Sequence, residues 1–101
     1  MIETFTHSTF AELSGTKFKL YDGEPEPSEV ELISVGELVE TKRQEMFGIL
    51  FSVPDGRKPE QGSYTMEHEK LGSFELFLVP VVSDDEVAYE AIFNRLKSKK
   101  Q

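Results

Sequence analysis

The sequence predicts an all-β domain with a minor helical part: a small antiparallel β-barrel of six strands, with one short helical turn near its start. Three observations support this prediction. Apolar and polar residues alternate with a period of two in several segments, which is the pattern of half-buried strands. Short polar turns containing Gly, Pro or Asp separate these segments. Strands do not alternate with long helical segments, which argues against a parallel sheet.

The helical turn is predicted at residues 10–13, with Ser8 or Thr9 as its N-cap and Gly15 ending it. Its two large apolar side chains lie three residues apart, so they share one side and are able to plug one end of a barrel. A strand at 16–21 follows, because two apolar residues alternate there with two lysines. The first part of the chain therefore supplies a plug and a strand.

The middle of the chain predicts two more strands. The extended run 28–39 changes phase near Leu32 and Ile33, which predicts a β-bulge or a bend. A charged connector at 40–45 is interpreted as the tip of a long hairpin, and apolar residues alternate again over 47–53. A turn containing Pro, Asp and Gly at 54–59 ends this strand.

The stretch 61–80 is the segment around which the other elements are predicted to pack. Tyr64, Met66 and His68 alternate with polar residues and predict a strand, and Gly72 suits the left-handed position of the following turn. The next strand, 74–79, is apolar on both faces, which predicts cover by a helix, a loop or a partner chain. Pro80 predicts that this strand ends, bulges or lies at an edge there.

The last strand is predicted over 87–93, after an acidic turn at 83–86. A helix over 85–97 is the competing interpretation, because Glu, Ala and Leu favour helices. The two-residue period of Val, Tyr and Phe favours the strand. Six such strands close into a barrel or fold into a two-sheet sandwich, and the bends that Gly36 and Gly48 permit favour the barrel.

Composition limits the classes of function. A chain of 101 residues predicts one domain over residues 1–96, followed by a basic tail at 97–101 that is frayed and solvated. With 11 basic and 19 acidic residues, the net charge of −8 disfavours nucleic acid and anionic membranes as partners. The chain has no cysteine, no apolar run near the roughly 20 residues that span a bilayer, and no signal-peptide layout. We therefore expect a cytoplasmic protein.

Candidate chemistry centres on His68. A metal site built from His68, Glu67 and Glu75 is one possibility, but neighbours along a strand point to opposite faces. A histidine that closes a strand end by hydrogen bonding is the favoured interpretation. Glu67, Glu75 and Glu90 are able to meet across strands, although 19 acids make a chance cluster on a solvated face the better explanation. We predict no catalytic residue, no metal ligand and no cofactor.

The most informative pattern is a set of apolar side chains on the predicted outside of the barrel. If they group on one face, that face is too apolar for a monomer and marks an interface. The alternative is that the 10–13 turn or the 40–46 connector covers them. The predicted contact residues are Leu50, Phe77, Val79 and Ile92, with Glu67, His68 and Glu69 as a polar rim at the hairpin end.

Three motifs carry a resemblance to a known family: ExFxxLF at 45–51, QGxYxxEHxxLG at 61–72 and ELFLVP at 75–80. With them, the chain resembles the DUF6916-type family of small bacterial domains of unknown function. The resemblance covers most of the length and implies a single small, largely β domain with no established activity. It also ranks a phage-tail-like assembly among the settings in which such a domain would work.

The expected function is non-enzymatic. The domain acts by protein–protein contact or as a structural component of a larger assembly, and its partner is another protein or a second copy of itself. The alternative is a small-molecule- or metal-binding barrel, or an enzyme, that uses His68 and nearby carboxylates. That alternative requires an open interior, whereas large inward side chains such as Phe18, Phe51 and Phe74 are able to fill a six-stranded barrel.

Overall fold

The computed structural model of the chain describes residues 5–23, 25–54 and 58–96. The predicted tail at 97–101 and the centre of the predicted turn at 54–59 lie outside these residues. The elements in the described part are, in chain order, α1 (His7–Ala11), β1 (Lys17–Tyr21), β2 (Ser28–Val35), β3 (Val39–Glu40), β4 (Gln44–Ser52), β5 (Gly62–His68), β6 (Gly72–Ser83) and β7 (Glu86–Leu96).

The strands form a closed antiparallel barrel, as predicted. The order of neighbours is β2, β1, β5, β6, β7 and β4, and a further pairing between β2 and β4 closes the ring of six. The short β3 is an addition that pairs with β4, so the charged connector between them is the tip of a hairpin. The predicted strand for the last segment is confirmed, and the competing helix over 85–97 is wrong, since β7 pairs with β4 from Ala88 to Leu96.

The ring closes where two glycines meet. The register of β2 against β4 shifts between Leu32 and Ser34, which confirms the predicted bulge and leaves Ile33 45% exposed. Just beyond β2, the amide of Gly36 donates to the carbonyl oxygen of Gly48 at 2.8 Å. A Cβ atom on Gly36 would lie 3.2 Å from that oxygen, which is a tight contact, so a side chain at this position would press the two strands apart.

Strand β6 belongs to two ladders in succession. It pairs with β5 from Gly72 to Leu78 and with β7 from Val79 to Ser83. Pro80 lies beyond the last pair with β5, where β6 is an edge on that side, which agrees with the predicted role of a proline. The strand nevertheless continues through Pro80 and turns back at Asp84 and Asp85, whose φ angles are 52° and 66°. Positive φ at both central residues is the geometry that joins tightly twisted hairpin strands.

The interior is filled by one apolar cluster. Its fully buried members include Phe18, Leu20, Phe51, Met66 and Tyr89, which come from four of the six strands. Because these side chains meet at the centre, the barrel is packed with side chains in the way that small barrels are.

Helix α1 plugs one end of the barrel, but it starts earlier than predicted. The cap is Thr6, whose hydroxyl accepts from the Thr9 amide at 3.2 Å while the Thr9 hydroxyl accepts from the Thr6 amide at 3.1 Å. This reciprocal pair satisfies two amides at once, so the prediction of Ser8 or Thr9 as the cap is wrong. The side chains of Phe10 and Leu13 are buried in the core, as predicted for a plug.

Candidate functional site

The predicted contact residues group around one row of the barrel wall. Val79 on β6 is opposite Glu90 on β7, and Glu90 is in turn opposite Leu50 on β4. Phe77 precedes Val79 by two residues and Ile92 follows Glu90 by two, so the two-residue alternation of strands places them on the same side. We call Leu50, Phe77, Val79 and Ile92 the outer apolar face.

The outer apolar face is open to solvent. Phe77 is 53% and Ile92 58% exposed, whereas Leu50 and Val79, two residues farther along the strands, are half-buried. The alternative, cover by the 10–13 turn or the 40–46 connector, is not observed, because Phe10 lies in the core and the connector folds back as the β3–β4 hairpin. Within the described residues, Phe77 and Ile92 therefore remain open to water.

Gly48 lies beneath the centre of the outer apolar face. A Cβ atom on this glycine would lie 3.1 Å from Cδ1 of Ile92 and 3.6 Å from Oε2 of Glu90. The isoleucine side chain therefore lies across bare backbone, with a carboxylate beside it. The face is thus apolar with a carboxylate beside its centre.

A groove of about 330 Å³ continues the face beyond Leu50. It lies between the bulge of β2 and the start of β7, and its charged side chains are both acidic. The lining residues are Ile33, Ser34, Leu50, Ser52, Val53, Asp84, Glu86, Val87 and Ala88. We call this the acidic groove.

The hairpin between β5 and β6 places His68 inside the barrel end, where it is only 5% exposed. The Lys70 amide donates to Nδ1 of the ring at 3.0 Å, so Nδ1 carries no proton. Nε2 of the neutral ring therefore donates to the Thr16 hydroxyl at 3.0 Å, and that hydroxyl donates to the Leu13 carbonyl at 2.7 Å. The ring also packs on Phe18, with centroids 4.4 Å apart. His68 joins the hairpin to the end of the helical plug.

Burial lowers the pKa of His68, because a charged ring would lose its water there. The charge of Lys70 lowers the pKa further, whereas Glu69 opposes it. The neutral ring with both nitrogens bonded is consequently the favoured state. This arrangement is that of a structural histidine, and it leaves neither nitrogen available as a ligand or a base.

Glu67 points outward, away from His68, as neighbours along a strand must. It accepts a hydrogen bond from the Tyr21 hydroxyl at 2.8 Å, and this bond raises the pKa of Tyr21 because it stabilises the protonated phenol. A cleft of about 590 Å³ lies beside this pair and reaches His68. Its walls carry both signs of charge: the acidic residues Glu12, Glu29, Glu67 and Glu69, and the basic residues Lys17, Lys19 and Lys70.

The structure does not bring the predicted rim beside the outer apolar face. Glu67 is opposite Ser73, which precedes Phe77 by four residues, or about 13 Å of strand. Glu69 lies in the hairpin turn beyond it, and His68 is buried. The prediction fails here because a residue at the hairpin end is close in sequence to the strand but distant from a face farther along it.

The acids that do flank the face are Glu75 and Glu90. Glu75 precedes Phe77 by two residues on the same side of β6, and Glu90 lies between Val79 and Leu50. The sequence contains the alternation that puts them outside, but only the strand register shows which apolar residues they adjoin.

The three carboxylates considered as a cluster do not converge. Glu75 is opposite Thr65, whereas Glu67 is opposite Ser73, so these two are diagonal neighbours. Glu90 belongs to the next ladder, opposite Val79. Among residues 5–23, 25–54 and 58–96, no three histidine, aspartate or glutamate side chains lie close enough together to hold a metal ion.

The fold and its surfaces define a small closed β-barrel domain with a packed interior and an apolar outer wall. The chain is a member of the family described as a domain of unknown function, DUF6916, whose sequence profile matches residues 5–93. Neither a curated protein nor a solved structure matches the chain significantly. In the described part of the chain, no helix has the length and apolar character needed to cross a membrane.

Proposed function

We propose that the protein is a non-enzymatic contact domain that holds another protein through its outer apolar face, as one component of a larger assembly. The observation that carries this proposal is the exposure of Phe77 and Ile92, each more than half open to water on adjacent strands. Burying a side chain of this kind against a partner contributes about 1.5–3 kcal/mol. The proposal includes a cytoplasmic location, since a chain without cysteine fits a reducing compartment.

The charges near the outer apolar face indicate the chemistry of the partner. Glu90 lies at its centre and Glu75 at its edge. A carboxylate enclosed by apolar contact is costly unless a cation or a hydrogen-bond donor meets it. The partner surface should therefore present apolar side chains with Lys or Arg between them. The net charge of −8 supports a basic protein partner over phosphate-bearing ones.

The test compares three variants used as bait in extracts of the native cell. Phe77→Glu and Ile92→Glu each place a charge in the outer apolar face. Val82→Glu is the matched control, because Val82 is 75% exposed on β6 but lies outside that face. We expect wild type and the control to retain the same proteins, and both face variants to lose them while melting at the wild-type temperature.

Retention of the same proteins by folded Phe77→Glu and Ile92→Glu would refute the proposal. Circular dichroism of each variant identifies a loss that comes from unfolding. Because both face residues are exposed, a charge at either position should leave the fold intact.

A second candidate function is favoured by one observation, the cleft of about 590 Å³ that reaches His68. Its volume is in the range of ligand sites, and its walls of mixed charge suit a small zwitterion. It ranks second because both nitrogens of His68 are already bonded within the protein. A saturable rise in melting temperature with a small amino acid, lost in Glu67→Gln, would favour it over the contact domain.

A further inference from the structure

The acidic groove has a lining whose chemistry is complemented by a segment of the chain itself. Its lining offers apolar contact from Ile33, Leu50 and Val53, together with the carboxylates of Asp84 and Glu86. Glu90, directly opposite Leu50 on the next strand, adds a third negative charge at its edge. An extended segment that combines an apolar side chain with several cations is the chemistry that fits such a groove.

Such a segment begins where β7 ends. Of the 11 basic residues in the chain, four fall within positions 95–100, which is the densest group of cations. Arg95 is held in its own barrel by an ion pair with Glu45 at 3.4 Å. Leu96 follows it and is 77% exposed, and three lysines come next, at 97, 99 and 100. Residues 96–100 therefore combine an exposed apolar side chain with three positive charges.

Leu96 cannot reach the groove of its own barrel. Leu96 is opposite Gln44, whereas the groove lies by Ala88, eight residues earlier on β7. Eight residues of strand span about 27 Å. The backbone of Lys100 reaches at most about 14 Å from Leu96, even in a fully extended chain. If the groove holds Leu96 together with the lysines that follow it, these residues must come from another molecule.

We infer that the acidic groove binds residues 96–100 of a second copy of this chain. The inference rests on the proposed function, because the groove continues the outer apolar face. It adds to that function the identity of the partner, a second copy of the chain. Leu96 of the second copy contacts the apolar lining, and its three lysines face Asp84, Glu86 and Glu90. Because the groove and the segment lie at opposite ends of β7, the contact is head to tail. Head-to-tail contacts build rings or open chains of subunits.

The experiment measures the molar mass of the full chain by light scattering and sedimentation at low and high salt. The tail-reversed variant carries Lys97→Glu, Lys99→Glu and Lys100→Glu, and the groove-reversed variant carries Asp84→Lys and Glu86→Lys. We expect wild type to associate at low salt, and each variant alone to associate at least tenfold more weakly. Mixing the two variants restores association, because each reversed surface then meets its complement.

The matched control is Glu37→Lys with Glu60→Lys, which changes the net charge as much as the groove reversal does but at exposed positions outside the groove. It should associate at least as well as wild type. A wild type that stays monomeric at millimolar concentration would overturn the inference, as would a mixture of reversed variants that fails to associate. Equal loss in the control would assign the effect to net charge and overturn it too.

The two proposals fail in distinguishable ways. Ile92 is not among the residues that line the groove, so Ile92→Glu tests the outer apolar face separately. Loss of a partner protein in Ile92→Glu, with a wild type that never associates with itself, leaves the contact domain standing and removes the second copy as its partner. A groove-reversed variant that loses a different protein likewise removes the second copy as the occupant of the groove.

Discussion

The hairpin end of the barrel buries a polar side chain, whereas the outer apolar face exposes apolar ones. At the hairpin end, the one polar residue with the most catalytic promise, His68, is buried with both ring nitrogens bonded. On the outer apolar face, Phe77 and Ile92 resemble core residues but are more than half exposed. The histidine forms its hydrogen bonds within the chain, whereas the two apolar side chains remain exposed to water.

This difference indicates which region is available for function. A buried polar group whose bonds are complete stabilises the fold, and using it for chemistry would break those bonds. Burial of the exposed apolar side chains on adjacent strands would still contribute favourable free energy to a contact with another molecule. The proposed function accordingly uses the outer wall and not the histidine.

The largest expected effect comes from truncating His68, the buried residue at the hairpin end. His68→Ala removes the acceptor of the Lys70 amide, the partner of Thr16 and the ring that packs on Phe18. We expect a loss of about 2–4 kcal/mol in the free energy of unfolding. The matched outer variant, Ile92→Ala, should lose about 0.5 kcal/mol or less. Urea unfolding of both variants measures the contrast, and equal losses would show that the two regions do not differ in this way.

A smaller effect is expected from protonating the same histidine. Burial lowers the pKa of His68 in the folded chain below its unfolded value of about 6.5. The folded state thus binds fewer protons, and the stability linked to this group is complete above about pH 6.5. That stability is lost as the pH falls below about 6.5 toward the folded pKa.

The His68→Asn variant isolates this pH dependence. Asparagine does not titrate, and its side-chain oxygen is able to accept from the Lys70 amide. Between about pH 7 and pH 5, wild type should lose more unfolding free energy than the variant. Parallel curves for the two proteins would contradict the assignment of the lowered pKa to folding.

The smallest expected effect lies in the turn that joins β6 to β7. Asp84 and Asp85 both have positive φ, which glycine and asparagine adopt more readily. The double substitution Asp84→Asn with Asp85→Gly should raise the free energy of unfolding by about 0.5 kcal/mol. Thermal unfolding measures this gain. The same change removes charge from the acidic groove, so it should also weaken any association that depends on Asp84.

Most of the fold is predictable because its signals are local. The two-residue alternation depends only on neighbours along one strand, and it identifies β7 correctly against the helix alternative. The bulge beyond Leu32 is visible as a change of phase within eight residues. The packed interior follows from the size of the inward phenylalanines.

What the sequence cannot supply is the register between strands. After Leu78, β6 stops pairing with β5 and pairs with β7 instead. The position of this change depends on where β5 begins, which no local pattern reveals. For the same reason the sequence does not place Glu90 beside Leu50, and it does not distinguish a buried His68 from one on a surface rim. The cap at Thr6 escapes prediction because threonine replaces the usual Glu or Gln three residues later.

The contact between Gly36 and Gly48 has a consequence for how the protein fails. The imidazole of His7 donates to the Gly36 carbonyl at 2.8 Å, so the start of α1 is bonded to the seam where β2 and β4 meet. If this hydrogen bond and the seam open together, β2 and β4 expose unpaired backbone. Unpaired strand edges recruit other chains. Substitution of these glycines should therefore favour strand exchange or precipitation through the exposed edges.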